Sequence, residues 1–221
     1  MATTRDARFP DPTTEGEVDF RGHRTWYRIT GELDPSIKLY NLPGNHDVGN
    51  VPTPASIARY RKQFGPDHYV FRVGSLVGVV LNSSLLQRPD SAPAEDAAQE
   101  KWLTDTLAVL GRERGTQIVI FQHHPWFLTN PAEANGYFNI PLEKRARYLA
   151  IFKRYGVRYL FGGHYHQNAF GRDGSLEMIT TGPVGKPDST TRSGMQIVVV
   201  TDTGLVHHYF DFGNLPNRLP R

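Results

Sequence analysis

The sequence predicts an α/β protein in which layered mixed β-sheets are flanked by helices. Three observations support this fold class: helical patterns alternate with short apolar runs in the middle of the chain, strand-like runs dominate its last part, and no repeat or linker divides it. The 221 residues suffice for one domain with a sizeable core. We therefore expect one domain over residues 34–221, preceded by a divergent or partly disordered segment, residues 1–33.

The first elements are the least regular. Residues 1–14 are polar and rich in Thr and Pro, so we expect loop or disorder there. Residues 15–33 place apolar side chains at helical spacing and predict a helix. Gly22 weakens this prediction, because glycine is unfavourable inside a helix. The apolar run at residues 37–42 predicts a short strand.

The later elements follow from periodicity and turn residues. Helices are expected at residues 53–64, 94–114 and 142–155, where apolar residues recur on one face. Strands are expected at residues 69–73, 76–81, 116–121, 157–161, 176–181, 195–201 and 205–212. Glycine-containing turns indicate hairpins for the first pair and the last pair of these strands.

Composition excludes several classes of protein. Without cysteine, the chain has no disulfide, zinc–thiolate site or cysteine nucleophile. No apolar run approaches the roughly 20 residues of a membrane helix, and the first residues lack the apolar core of a signal peptide, so we expect a cytoplasmic protein without a membrane partner. The net charge of +3 suits anionic small substrates, and no basic–aromatic stretch indicates a nucleic-acid partner. The oligomeric state is left open.

Polar motifs follow three of the predicted strands. They are GNHD at residues 44–47, HHP at residues 123–125 and GGHYH at residues 162–166. Ligands of open α/β sheets gather at the carboxyl ends of strands, so these motifs are candidates for one site. Each also has a structural interpretation, as a turn or a capped strand end. His23, His68 and the pair at residues 207–208 are interpreted as structural.

The residue types in these motifs suit a metal. His164 and His166 are two positions apart and would point to the same side of an extended backbone. Asn45 offers a neutral carbonyl oxygen, and the glycines before His164 leave space for an ion. Imidazole and oxygen ligands without thiolate fit Zn, Fe or Mn.

Together, the three motifs resemble those of the calcineurin-like metallophosphoesterases in order, approximate interval and strand-end position. The longer stretches GNHDVGN, FQHHPWFL and GGHYHQNA are similar to a subgroup, the calcineurin-like phosphoesterase-domain proteins with protein phosphatase activity. The resemblance covers residues 34–210.

The resemblance implies a site for two divalent metal ions (Mn, Fe or Zn) between the loops. Asn45, His123 and His164 would ligate the second ion, and His166 would ligate the first. The resemblance also implies hydrolysis of phosphomonoesters, with phosphoproteins among the candidate substrates, by attack of a metal-bound hydroxide.

Two neighbouring residues would handle the proton. By the resemblance, His46 is no metal ligand but stabilises the transition state and protonates the leaving oxygen as a general acid. Asp47 would accept a hydrogen bond from His46 and hold it as the imidazolium. His124 is not assigned a role.

Two motifs of the family are missing. Its members open with Asp-x-His on the first strand and Gly-Asp on the second, which give the first ion three of its four protein ligands, and neither pattern occurs in this sequence. We therefore expect an incomplete domain without the first strand–helix–strand unit, with strand edges and apolar faces uncovered. Either the sequence is a truncated or mis-started form of a complete enzyme, or it is a naturally degenerate relative.

Three functional hypotheses remain. The first is a metal-dependent phosphoesterase or a fragment of one. The second is a non-catalytic binding or scaffold domain that keeps the fold and part of the pocket. The third is another hydrolase with a His-x-His site, such as an amidohydrolase, against which the GNHD motif argues. Residues 88–93 and 137–139 either line the pocket or only pack.

Overall fold

The fold is taken from a computed structural model that describes residues 14–20, 23–29, 37–185 and 192–215. The chain divides into two compact units, one up to Tyr40 and one from Asn41 onward. The larger unit carries the sheet, the helices and all the motifs singled out above.

In the smaller unit, residues 14–20 and 23–29 form an antiparallel hairpin, so the predicted helix at residues 15–33 is wrong. Strand β1 (Thr14–Phe20) pairs with β2 (His23–Ile29), and Phe20 lies opposite His23. Both runs are rich in β-branched and aromatic residues, which favour strands, and the two residues between them include Gly22. The helical spacing of a few apolar residues was the weaker signal. Of the loop predicted at residues 1–14, residues 1–13 lie outside the described part.

The strand predicted at residues 37–42 is also wrong. These residues have no regular secondary structure, and Ile37 and Leu39 are 55% and 73% exposed. A strand needs a neighbour for its backbone N–H and C=O groups. Among the described strands, none pairs with this segment. Its apolar composition was therefore an insufficient basis for predicting a strand.

A six-stranded mixed sheet forms the centre of the larger unit, in the order β3-β4-β5-β6-β8-β7. The strands are β3 (Tyr69–Val73), β4 (Leu76–Val80), β5 (Gln117–Phe121), β6 (Tyr159–Gly162), β7 (Ala169–Asp173) and β8 (Leu176–Thr180). The four central strands are parallel, and an antiparallel strand borders each edge. All but β7 match predicted strands.

The described helices are α1 (Asn45–Val48), α2 (Pro54–Phe64), α3 (Ser83–Gln87), α4 (Pro93–Leu110) and α5 (Leu142–Arg154). Helix α2 begins with a reciprocal cap, in which Thr53 and Ser56 each accept the other's backbone N–H. The three longer helices were predicted, whereas the short α1 and α3 were not. No described helix is both long and apolar enough to cross a membrane.

The two faces of the sheet are covered differently. On one face, alternate strand residues such as Val79, Ile120 and Leu160 form a buried core with α4 and α5. On the other face, the hairpin of β9 (Gly194–Val200) and β10 (Leu205–Asp211) packs on a second cluster that includes Val119 and Phe161. This period-two alternation confirms the predicted fold class of layered mixed sheets flanked by helices.

Candidate metal centre

Two of the three motifs lie side by side because β5 and β6 are parallel neighbours. His123 follows the end of β5, and His164 follows the end of β6. Backbone pairing continues past both strands: Gln122 N–H donates to Phe161 O at 3.0 Å, and Gly163 N–H donates to His123 O at 2.8 Å. These two bonds fix the histidine-bearing loops against each other at the carboxyl edge of the sheet.

The third motif reaches the site from a short helix rather than from a strand end. Asn45 is the first residue of α1. The Asp47 carboxylate accepts the backbone N–H of Gly44 at 2.8 Å and closes this turn. A Cβ on Gly44 would lie 3.2 Å from atoms of the His123 ring. A glycine at this position therefore allows His123 to approach α1 closely.

Three side chains from these motifs converge. The Asn45 Oδ1 atom lies 2.9 Å from His123 Nε2, which in turn lies 3.1 Å from His164 Nδ1. Asn45 and His164 are buried, at 3% and 7% exposed. We call Asn45, His123 and His164 the central cluster.

A residue that the sequence did not assign, Tyr137, orients two members of the central cluster. The amide nitrogen of Asn45 donates to Asn50 Oδ1 at 2.7 Å and to the Tyr137 hydroxyl at 3.3 Å, which turns the Asn45 carbonyl oxygen toward His123. The His164 Nε2 atom lies 3.2 Å from the Tyr137 carbonyl oxygen, which can only accept. In the neutral ring, the Nδ1 lone pair of His164 is then free to point into the cluster.

The imidazoles of the central cluster are electrically neutral. Burial lowers the pKa of His123 to about 3, and the neighbouring His164, His46 and His166 lower it further. Burial also lowers the pKa of His164. Neutral imidazole is the form that ligates a metal, so neither ring has to lose a net proton at neutral pH.

The cluster fits one divalent ion as a neutral, incomplete ligand set. Two donors held about 2.1 Å from one ion at right angles lie about 3 Å apart, close to the two distances between its donor atoms. Two imidazole nitrogens and an amide oxygen suit Zn, Mn or Fe. Within the described ranges, no group of three His, Cys, Asp or Glu side chains is placed to hold an ion. Among the described residues, the cluster therefore has no carboxylate ligand.

His164 and His166 do not lie on extended backbone, so that part of the sequence argument is wrong. Their φ angles are 61° and 60°, in the left-handed region. Tyr165 N–H donates to Gly163 O at 2.6 Å and closes a tight turn centred on His164. The turn directs His164 into the cluster, while His166 is exposed.

His46 and Asp47 lie beside the cluster, and among the described residues no hydrogen bond joins their side chains. His46 is exposed and lies near enough to His123 and His164 to affect their pKa values. The Asp47 carboxylate is bonded to Gly44, and within the described part it has no hydrogen bond to the His46 ring. The expected orientation of His46 by Asp47 is thus not seen in this geometry.

A cleft of about 500 Å³ opens beside the cluster. Its lining residues are Asn50, Gln87, Arg88, His124, Asn135, Gly136 and Tyr137. Residues 88–93 and 137–139 were candidates for lining the pocket, and they contribute Arg88 and Tyr137 to this cleft. Asn139, from the same segment, is buried and packs inside its loop.

A buried arginine holds the loop that carries Tyr137. The Arg145 side chain on α5 is fully buried and donates to the carbonyl oxygens of Pro131, Glu133 and Ile140 at 2.9, 2.8 and 2.9 Å. The Glu133 carboxylate accepts the backbone N–H of Leu128 at 2.8 Å and the side-chain amide of Asn139, also at 2.8 Å. The loop is thereby fixed from both of its ends.

Comparison with known proteins identifies the class. The calcineurin-like phosphoesterase family matches residues 16–168, which is most of the chain. The chain therefore belongs to this family, as its motifs and its sheet indicate.

Among curated relatives, the chain is similar to the protein named serine/threonine-protein phosphatase CPPED1. It is 36% identical to the Bos taurus protein over 191 residues, which are 86% of this chain and 61% of that protein. The Danio rerio protein is 36% identical over 185 residues, or 84% of this chain and 60% of that protein. The chain thus spans about three fifths of the length of these relatives.

One solved structure supports the fold alone. The chain resembles GAP50, described as the anchor in the inner membrane complex of Plasmodium, with a TM-score of 0.50 and 16% sequence identity. The similarity covers 65% of this chain and 49% of that one.

Proposed function

We propose that the chain is a metal-dependent phosphoesterase that hydrolyses phosphate monoesters, including phosphorylated serine or threonine side chains of proteins. The observation that carries the proposal is the convergence of Asn45 Oδ1, His123 Nε2 and His164 Nδ1, with 2.9 and 3.1 Å between successive atoms. Membership of the calcineurin-like phosphoesterase family and similarity to proteins named serine/threonine-protein phosphatase support it.

In this proposal Asn45, His123 and His164 hold one divalent ion, which is Mn, Fe or Zn, and His166 contributes to a second one. Such an ion supplies Lewis-acid polarisation of a phosphoryl oxygen and lowers the pKa of water. Tyr137 orients Asn45 and His164 through its hydroxyl and its carbonyl oxygen. Gly44 leaves room for the His123 ring.

His46 is the proposed proton donor to the leaving oxygen. It is exposed at the first turn of α1, next to the central cluster, where a substrate can reach its ring. An imidazole is suited to general acid catalysis near neutral pH. The role of Asp47 in this proposal is to close the turn that presents His46, through its bond to the Gly44 backbone.

The test combines metal analysis with turnover of p-nitrophenyl phosphate and a phosphoserine peptide, each in the presence of Mn, Fe or Zn. We expect bound metal and metal-dependent hydrolysis in the wild-type chain. His123→Ala and His46→Ala should each lower kcat/KM at least about a hundredfold, and only His123→Ala should also lose metal. His208→Ala, an exposed histidine on β10, is the matched control and should change neither quantity. A wild-type chain that hydrolyses neither substrate with any of the three metals would overturn the proposal.

A non-catalytic binding domain is the second candidate. The observation in its favour is the lack of carboxylate ligands: the sequence has no Asp-x-His or Gly-Asp motif, and the described residues offer no metal-binding group of three His, Cys, Asp or Glu side chains. It predicts binding of a phosphopeptide that survives chelation of metal and leads to no turnover. Binding that requires metal would count against it.

A further inference from the structure

The hydroxyl of Ser83 has only one direction left for its proton. Ser83 is fully buried, and its Oγ accepts the backbone N–H of His123 at 3.1 Å and of His124 at 2.8 Å. These two bonds occupy the two lone pairs of the oxygen. The third neighbour of Oγ is Nδ1 of the His124 ring, at 3.0 Å. The Ser83 hydroxyl must therefore donate to His124 Nδ1.

This bond fixes the tautomer of His124. Because Nδ1 accepts, the neutral ring carries its proton on Nε2. A protonated Nε2 has no lone pair and cannot bind a metal, although the His124 and His164 ring centroids are only 4.2 Å apart. Ser83 thus excludes His124 from the central cluster and makes its Nε2 a hydrogen-bond donor.

The donor faces the cleft beside the cluster. The His124 side chain is 4% exposed and forms part of the cleft wall. Among the described residues, its Nε2 has no hydrogen-bond partner. This atom is also not among the unpartnered polar atoms that are closed off from solvent. An N–H group in this position can recognise only an acceptor atom of a bound molecule.

The charge of the cleft suits an anion. Among the described residues that line it, Arg88 supplies the only charged side chain, and none is a carboxylate. Its Nε donates to Asp90 at 3.1 Å, while its two terminal nitrogens have no partner among the described residues. Guanidinium is well matched to phosphate oxygens.

We propose that His124 is a substrate-binding residue whose Nε2–H donates to a phosphoryl oxygen of a phosphate monoester in this cleft, and that Ser83 is its positioning residue. The inference rests on the proposed function for the identity of the substrate. The three contacts of Ser83 Oγ, which make His124 Nε2 a donor, do not depend on whether the chain hydrolyses a substrate.

The test measures the binding of inorganic phosphate to the full metal-loaded chain by calorimetry, with kcat, KM and metal content determined alongside. His124→Leu removes the donor and should weaken phosphate binding roughly ten- to a hundredfold, the loss expected for one hydrogen bond to a charged group. His124→Gln keeps an N–H group at similar reach and should recover most of the affinity. Metal content should be the same in both variants.

A second pair of variants tests the positioning role, with metal content measured in both because Ser83 also accepts the backbone N–H of His123. Ser83→Ala should weaken phosphate binding and raise KM, because the ring is no longer held in one tautomer. Ser84→Ala is the matched control, since Ser84 is equally buried on the same helix but its hydroxyl has no partner among the described residues. It should leave phosphate binding unchanged.

Three results would overturn the inference: a wild-type chain that binds no phosphate, a folded His124→Leu variant that binds it as tightly as wild type, or a His124→Leu variant that loses its metal. Phosphate binding that depends on His124 without any turnover would instead refute the proposed function and leave the inference intact.

Discussion

Replacing Arg145 by Met should destabilise the protein strongly and loosen the loop that carries Tyr137. The guanidinium is fully buried and donates to the carbonyl oxygens of three loop residues at 2.8 to 2.9 Å. Each carbonyl left without a donor costs about 1–3 kcal/mol, and rehydration of the loosened loop recovers part of that loss. We expect the free energy of unfolding to fall by about 3–5 kcal/mol, which is the cost of three unpaired carbonyls less the part that rehydration recovers.

The assay is urea unfolding, with Arg147→Met as the matched control two residues along the same helix. Arg147 is 55% exposed and pairs with Glu100 at 2.7 Å, so its loss should cost no more than about 1 kcal/mol. Limited proteolysis should in addition cleave residues 131–139 faster in the Arg145 variant. Equal losses of stability in the two variants would refute the argument that the buried guanidinium holds this loop.

Three further changes test other parts of the structure. Burial alone would raise the pKa of Asp67, but its contacts with His68, Arg61 and Asn82 hold it well below its usual range. This contribution to stability is present above the unfolded-state pKa of about 3.9 and is lost as the pH falls from there toward the lower folded-state pKa. Urea unfolding at pH 7 and at about pH 2 should therefore show a larger loss for wild type than for Asp67→Asn. Gly44→Ala should push the His123 ring by a few tenths of an ångström and so lower the metal content, with little change in unfolding free energy. Unchanged metal content would contradict the close packing of Gly44 against His123. His166→Gly should be more stable than His166→Ala by about 1 kcal/mol, because only glycine relieves the left-handed backbone at φ 60°; equal melting temperatures would argue against that strain.

The sequence predicted those parts of the protein that depend on local patterns. The apolar runs before His123 and His164 were recognised as strands, and parallel pairing of β5 and β6 does bring the two histidines together. The helical spacing at residues 15–33 misled because β-branched and aromatic residues there also suit strands. The run at residues 37–42 misled because a strand depends on a neighbour that local composition does not reveal.

Other parts of the site had no local signal. Tyr137 acts through its carbonyl oxygen and hydroxyl, from a loop 92 residues away from Asn45 in the chain. Ser83 acts on His124 from 41 residues away, through a hydroxyl that any serine would have. Its position just after β4 was the one available hint, because β4 belongs to the same parallel set as β5 and β6. The left-handed backbone at His164 had no sequence signal either, because glycine is the residue that usually marks such a position and a histidine stands there.

The wide sequence separation of the central cluster has a consequence for folding kinetics. Asn45 lies 78 residues from His123, and His123 lies 41 residues from His164, so the unfolded chain contains no local version of the site. An ion or phosphate bound there recognises only the native state and stabilises it by mass action. Because long-range contacts cost the most loop-closure entropy, we expect the site to form late in folding. Such a ligand should then slow unfolding and leave the refolding rate unchanged, which stopped-flow refolding and unfolding with and without ligand would measure.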